Sequence, residues 1–296
     1  PAIGSISLGS FKVLESFGLK ASAFAGHSFG ELVALSAAGA YDGSTLAKLS
    51  RKRGQLMAMG SGDKGGMIAV LGERKTVEKI LEKENIDLVV ANHNSHKQVV
   101  LSGKTSEVER AKDIFKAHKL KGTILNVAGA FHSSFVADAA KPFYDFVKNE
   151  KFNNLRVPVY ANTTGNKYPE NVDEVKSLLG NQLANQVRFV EIIENMYNSG
   201  IRTFIEVGPG NVLSGMLKNI LNTDDYKVLT LDSSGGKRSS VYDLGRLLGQ
   251  LSALGYKLDI EKWQNGTDYL KTAANVKSSK FTFKLCGANY KSAKQL

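Results

Sequence analysis

Apolar and polar residues alternate along the chain with two periods, and the switch between them divides it. A helical spacing runs through residues 1–19, with apolar positions at Ile3, Ile6, Leu8, Phe11, Val13 and Leu14 and a stop near Gly18. The short apolar strand Ala21-Ser22-Ala23-Phe24-Ala25 follows, then a helix opening at Phe29 and carrying Leu32-Val33-Ala34-Leu35. Tyr41-Asp42-Gly43 makes a turn, Ser44 can cap, and a second helix over 45–59 bears the stripe Leu46, Leu49, Leu56 and Met57. Glycines at 60, 62, 65 and 66 then break the pattern.

From there the order becomes strand 67–71, helix 75–84, strands 88–91 and 98–102, helix 106–118 and strand 122–127. That βαββαβ order predicts a ferredoxin-like α+β unit at residues 63–127, inserted into a larger domain built from 1–62 and 128–254. The larger part resumes with helix 136–149, strand 157–161, helices 172–183 and 189–199, strand 203–207, helix 212–221, strand 227–231 and helix 241–254. Strands separated by helices predict an α/β core with a mainly parallel sheet and helices on both faces. Past Gly255 the character shifts toward lysine, with a short alternation at Lys280-Phe281-Thr282-Phe283-Lys284-Leu285; residues 255–296 read as a linker or peripheral strap.

Composition narrows the class. With 42% hydrophobic and 23% charged residues in 296, the chain can bury a large core. No run approaches the ~18 apolar residues of a membrane helix, and the start lacks the features of a signal peptide. The single cysteine, Cys286, excludes an internal disulfide and fits a reducing cytoplasm. The net charge of +11 is spread along the chain, which suits an acidic partner, a phosphorylated small molecule or a plain solvated surface better than nucleic acid. The abrupt start in mid-helix suggests that an N-terminal segment is missing before residue 1 or was processed away.

The candidate chemistry begins at Gly26-His27-Ser28-Phe29-Gly30. A serine between two glycines at a strand-to-helix turn is a nucleophile elbow, with both glycines expected to make room for the tight turn. The helix beginning at Phe29 would aim free N–H groups at an oxyanion beside Ser28. Such five-residue patterns also arise by chance, but the strand before and the apolar helix after supply the context that the chemistry requires.

Of five histidines, His132 opens a segment after a predicted buried strand and is the candidate general base for Ser28. His93 and His96 lie in the polar run Asn92-His93-Asn94-Ser95-His96, read as a loop; its ligand types would suit a metal, but no third ligand presents itself. Arg53 falls on the core-facing stripe, four residues from both Leu49 and Met57. A guanidinium there needs an anion, and no obvious fixed carboxylate is at hand, so it either meets a substrate carboxylate or snorkels at the stripe's edge.

These motifs, with Gly129-Ala130-Phe131-His132, Asn181-Gln182-Leu183 and Glu206-Val207-Gly208-Pro209-Gly210, occur in the order found in malonyl-CoA:acyl carrier protein transacylases. The chain most resembles the acyltransferase domains of polyketide and polyunsaturated fatty acid synthases from residue 1 to about 254. Gly287-Ala288-Asn289-Tyr290 resembles the linker that follows such domains. The resemblance implies a hydrolase-like α/β core, Ser28 as nucleophile, His132 as its base, and a backbone carbonyl near Gln182 that orients the imidazole. It further implies that the Phe29 N–H forms half of the oxyanion hole and that Arg53 binds the free carboxylate of a malonyl group. Phe131, in a motif close to the malonyl-type His-Ala-Phe-His, and Asn94 would line the pocket, and Gly129 departs from that motif at its first position.

The implied reaction moves malonyl from malonyl-CoA to the phosphopantetheine thiol of an acyl carrier protein, with no permanent cofactor and no metal. Its partners would be the carrier protein and other synthase domains, with neither nucleic acid nor membrane. The family begins with a strand and a glutamine-bearing loop that this chain lacks at its start. Two rival readings stand beside this one: an acyl-thioester hydrolase using the same elbow, and a non-catalytic carrier-protein docking module.

Overall fold

The computed structural model describes residues 1–58, 63–127, 129–132 and 137–263, without the side chains of 137–139. The tail motifs, Cys286 and the glycines at 60 and 62 lie outside the described residues. Among those described, no helix is long and apolar enough to cross a membrane.

The chain opens with α1 (Ala2–Ser16), β1 (Phe24–Ala25), α2 (Gly30–Ala37) and α3 (Gly43–Ala58). The expected apolar face of α1 is only partly correct. Phe11 and Leu14 are buried, but Ile3, Ile6 and Val13 are 60%, 53% and 42% exposed. The reason is Gly4: a Cβ there would sit 3.0 Å from the Phe29 ring, so α1 docks by its Gly4–Phe11 side and turns Ile3 and Ile6 outward. Helices α2 and α3 pack with α6 (Ala137–Asn149) and α7 (Val172–Asn181) around Leu32, Leu35, Leu49, Phe143, Val147 and Leu179.

Residues 66–124 form β2 (Gly66–Leu71), α4 (Arg74–Lys83), β3 (Leu88–Ser95), β4 (Gln98–Gly103), α5 (Thr105–Ala117) and β5 (Lys121–Ile124). The sheet order is β3-β4-β2-β5, with every neighbouring pair antiparallel. Its buried residues, Ile68, Val70, Val99 and Leu101, meet Val77, Leu81, Val108 and Phe115 of the two helices. The strand expected at 88–91 continues to Ser95, so the run read as a polar loop is largely strand. Register shifts between Val90 and Asn92 and between His93 and Ser95 let its polar side chains turn inward, where Asn92, Asn94 and Ser95 are buried.

The remaining elements are β6 (Val159–Tyr160), a 3₁₀ turn (Gln182–Ala184), α8 (Phe189–Asn198), β7 (Thr203–Glu206), α9 (Val212–Leu217), β8 (Lys227–Thr230) and α10 (Ser240–Ala253). Among the described residues the expected mainly parallel sheet is present as two separate parallel pairs, β1 with β6 and β7 with β8. The first ladder is short because Pro158 has no N–H; only its carbonyl takes part, accepting from Phe24 at 2.9 Å. Strands β1 and β7 both line an apolar cleft of about 540 Å³, together with Ile3 and Phe11 of α1 and Phe189 and Ile193 of α8.

Candidate active site

Between β1 and α2 the chain reverses within four residues. Ser28 sits at φ +50°, a left-handed conformation that a side chain takes only under constraint. Gly26 makes the reversal possible: a Cβ on it would lie 2.0 Å from the Gly30 carbonyl carbon and oxygen. Gly30 was expected to be needed for the same reason, yet a Cβ there meets nothing within 4 Å. The two glycines are therefore not equivalent, because the turn brings the flank of Gly26 onto the backbone of Gly30 and leaves the flank of Gly30 open.

Asn162, wholly buried after β6, clamps this turn. Its Oδ1 accepts the Ser28 N–H at 2.6 Å and its Nδ2 donates to the Gly26 carbonyl at 2.6 Å. Gln182 Nε2 donates to the Ser28 carbonyl at 2.7 Å. The N–H groups of Gly30 and Glu31 bond to the carbonyls of His27 and Ser28, so both are committed within the turn.

His132 reaches Ser28 from 104 positions away in the chain, its Nε2 at 2.7 Å from Oγ. It too has a positive φ, +59°, and its N–H bonds to the Leu183 carbonyl at 3.0 Å. Its Nδ1 faces two carbonyl oxygens, Gln182 at 3.2 Å and Asn185 at 3.0 Å. Carbonyls only accept, so Nδ1 carries the proton and Nε2 presents a lone pair to the serine hydroxyl. Burial first, then the charges of Arg53 and His27, push the His132 pKa down to about 3, leaving the ring neutral.

Arg53 is 4% exposed, as a core-facing position demands, and its Nη2 donates to Ser28 Oγ at 3.1 Å. The snorkelling alternative is therefore excluded. Burial lowers its pKa only to about 10, with Glu31 opposing the shift, so the charge persists at neutral pH. The expectation of no nearby carboxylate is corrected by Glu31, 1% exposed and electrostatically coupled to Arg53. Its Oε1 accepts from the Asn162 N–H at 2.9 Å and the Tyr168 hydroxyl at 2.6 Å. Burial lifts its pKa to about 7 against those bonds and the pull of Arg53.

The other expected site residues are placed less directly. Asn94, expected to line the pocket, is 4% exposed; its Oδ1 accepts from His27 Nε2 at 2.7 Å and its Nδ2 donates to Gln98. Phe131 is half-buried against Met67, Ala91 and Val100 of the four-stranded sheet, one residue before His132. His93 and His96 pair with Glu191 and Glu194 at 3.4 and 3.2 Å. Among the described residues, no three His, Cys, Asp or Glu side chains converge as metal ligands.

Sequence reasoning missed Asn162, Asn185 and Tyr168 and gave Glu31 no role. Glu31 carried a usable signal, since an acid followed by Leu32-Val33-Ala34-Leu35 on a short apolar helix has little chance of solvent.

An α/β chain with a half-buried serine bonded to a buried histidine, and a buried arginine at the same oxygen, has the equipment of an acyl-transferring protein. The sequence pattern of the acyl transferase domain matches residues 1–236, and the chain belongs to that family. It is 37% identical over 227 residues to the polyketide biosynthesis malonyl CoA-acyl carrier protein transacylase BaeC of Bacillus velezensis, covering 75% of this chain and 77% of that one. It is 38% identical over 220 residues to the polyketide biosynthesis protein PksE of Bacillus subtilis, covering 73% of this chain but spanning only 28% of PksE. Among solved structures, the acyltransferase domain from the second module of the salinomycin polyketide synthase superposes with a TM-score of 0.80 at 26% identity. That match covers 96% of this chain and 65% of the other.

Proposed function

We propose that this chain transfers a malonyl group from malonyl-CoA to the phosphopantetheine thiol of an acyl carrier protein, through an ester on Ser28. The observation that carries the proposal is one oxygen, Ser28 Oγ, with His132 Nε2 at 2.7 Å and Arg53 Nη2 at 3.1 Å. In the first half-reaction the Ser28 proton passes to His132 Nε2 as Oγ attacks the thioester carbon. The carbonyl oxygen becomes an oxyanion, for which the Phe29 N–H is the assigned donor. The C–S bond then breaks, and CoA leaves as a thiol with the proton held by His132. In the second half-reaction the carrier's thiol gives its proton to His132 and attacks the acyl-serine; the C–Oγ bond breaks and Oγ recovers the proton.

Arg53 is assigned to the malonyl carboxylate, which favours a dicarboxylic acyl group over the general hydrolase reading. Gln182 and Asn185 orient the imidazole, while Asn94 acts by fixing His27. No step needs a metal or a resident cofactor. The partner is an acyl carrier protein, alone or within a larger synthase, in the cytoplasm; carriers are acidic, and the charge of +11 suits them. The same reading takes residues 1–62 and 128–254 as a hydrolase-like core, 63–127 as a ferredoxin-like insert and 255–296 as a linker. Support for the insert comes from the order β3-β4-β2-β5 with antiparallel neighbours.

Intact-mass spectrometry after mixing with malonyl-CoA tests the proposal. A malonyl adduct on the wild-type chain that is absent from Ser28→Ala is the expected result, and its transfer to an added holo carrier protein completes it. An adduct lost to water at the same rate with and without the carrier would favour the hydrolase. No adduct at all would favour the docking module.

A further inference from the structure

Two buried, oppositely charged groups near Ser28 each keep one polar atom in reserve. Glu31 takes the Asn162 and Tyr168 hydrogen bonds on Oε1; its Oε2 is buried without a hydrogen-bond partner, because the neighbouring Gln182 Nε2 is committed to the Ser28 carbonyl at 2.7 Å. Arg53 has Nη2 on the serine oxygen, and its Nε is buried without one. The two charges feel each other, yet neither reserved atom is bonded to the other. A fully formed buried ion pair would have closed on itself; this one leaves the guanidinium open to a second anion.

We propose that Glu31 is a selectivity residue that competes with the carboxylate of an incoming acyl group for the charge of Arg53 and yields by taking up a proton. The inference rests on the transferase reading above, because it needs a carboxylate-bearing acyl group at Arg53.

Two anions around one guanidinium in a dry site repel each other, and only Glu31 can relieve the repulsion by becoming neutral. The groups facing Glu31 make this feasible. Tyr168 and Asn162 donate to Oε1, Gln182 Nε2 donates to the Ser28 carbonyl beside it and favours the ionised form, and Arg53 supplies a full positive charge from α3. Tyr41 and Tyr168 are held neutral by burial, and burial likewise lowers the pKa values of His27 and His132. Glu31 itself, at about 7, is poised between its two states near neutral pH.

Linkage fixes the sign. If a carboxylate at Arg53 favours the protonated Glu31, binding that carboxylate takes up a proton and weakens as pH rises through about 7, by at most about tenfold per pH unit. An acyl group without a carboxylate escapes this effect, so the ratio of malonyl to acetyl transfer isolates it. Titration of His27 or His132 affects both substrates and cancels in the ratio.

The test measures initial rates of Ser28 acylation by malonyl-CoA and acetyl-CoA from about pH 6 to about pH 8.5. In the wild type the malonyl:acetyl ratio should fall about tenfold across that range. In Glu31→Gln, whose amide oxygen can still accept from Asn162 and Tyr168, the ratio should stay flat and exceed the wild-type value at the alkaline end. Tyr168→Phe removes a hydrogen bond that favours the ionised form, so its fall should move to higher pH. A ratio independent of pH in the wild type, or an equal slope in wild type and Glu31→Gln, would overturn the inference while leaving the transferase intact. Acylation by neither substrate would overturn both.

Discussion

Asn162 grips Ser28 across 134 residues of chain: its Oδ1 takes the serine N–H at 2.6 Å while its Nδ2 holds the carbonyl of Gly26 at 2.6 Å. The left-handed backbone of Ser28 is unfavourable by itself, by about 1–2 kcal/mol, and this side chain secures both flanks of the turn. Asn162→Ala should therefore lower unfolding free energy by about 2–4 kcal/mol, since two buried backbone groups lose their partners. Urea denaturation measures this; a loss under about 0.5 kcal/mol would show that the turn holds without the clamp.

The two glycines of the elbow should part company. Gly26→Ala places a methyl 2.0 Å from the Gly30 backbone, which cannot move without unseating the serine, and should abolish acylation and leave little folded protein. Gly30→Ala meets nothing within 4 Å and should shift stability by less than about 1 kcal/mol. Thermal melts of the pair decide the matter, and similar melting temperatures would contradict it.

Removing the charge of Arg53 should discriminate between acyl groups. Arg53→Ala should cut malonyl loading by about 10²–10³-fold, the scale of a lost charge-assisted pair in a dry site, and acetyl loading far less. Equal losses for the two thioesters would refute its assignment to the substrate carboxylate.

Stability should carry two opposing proton linkages from this site. Glu31 is raised from an ordinary 4.5 to about 7, so the folded state holds the extra proton and stability falls as pH climbs through that window. His132 is lowered from 6.5 to about 3, so the unfolded chain binds the extra proton and stability falls as pH drops below 6.5; His27, also lowered by burial, acts with it. Between about pH 4.5 and 6.5 Glu31 and His132 oppose each other, at up to about 1.4 kcal/mol per pH unit each. Glu31→Gln should then lose stability more steeply than wild type on acidification, while His132→Gln should flatten or reverse that loss. Urea unfolding across the range reads the slopes, and three parallel curves would disprove the linkage.

The elements themselves were legible because helix and strand periodicity is local. The elbow, its flanking strand and helix, and the βαββαβ order all follow from neighbours within a few residues. Arg53 was legible for the same reason, as a charge on a stripe defined by Leu49 and Met57. The polar run at Asn92-His93-Asn94-Ser95 misled, because propensity says loop wherever Asn and His cluster. The run instead pairs with β4, and Asn94 meets His27, 67 positions away, which gives its buried amide a partner.

By itself the sequence determined most of the helices and strands, where a serine could be exposed at a strained turn, and which arginine lies on a core-facing stripe. Tertiary structure alone decided that Ile3 and Ile6 of α1 point outward, that parallel strands pair two by two, and that Glu31, Asn162 and Asn185 surround the serine–histidine pair. The physical reason is range. Periodicity reports which side of an element is apolar, but whether a buried amide or carboxylate finds its hydrogen-bond partner depends on groups more than a hundred residues away. Only the packed chain brings those groups within 3 Å.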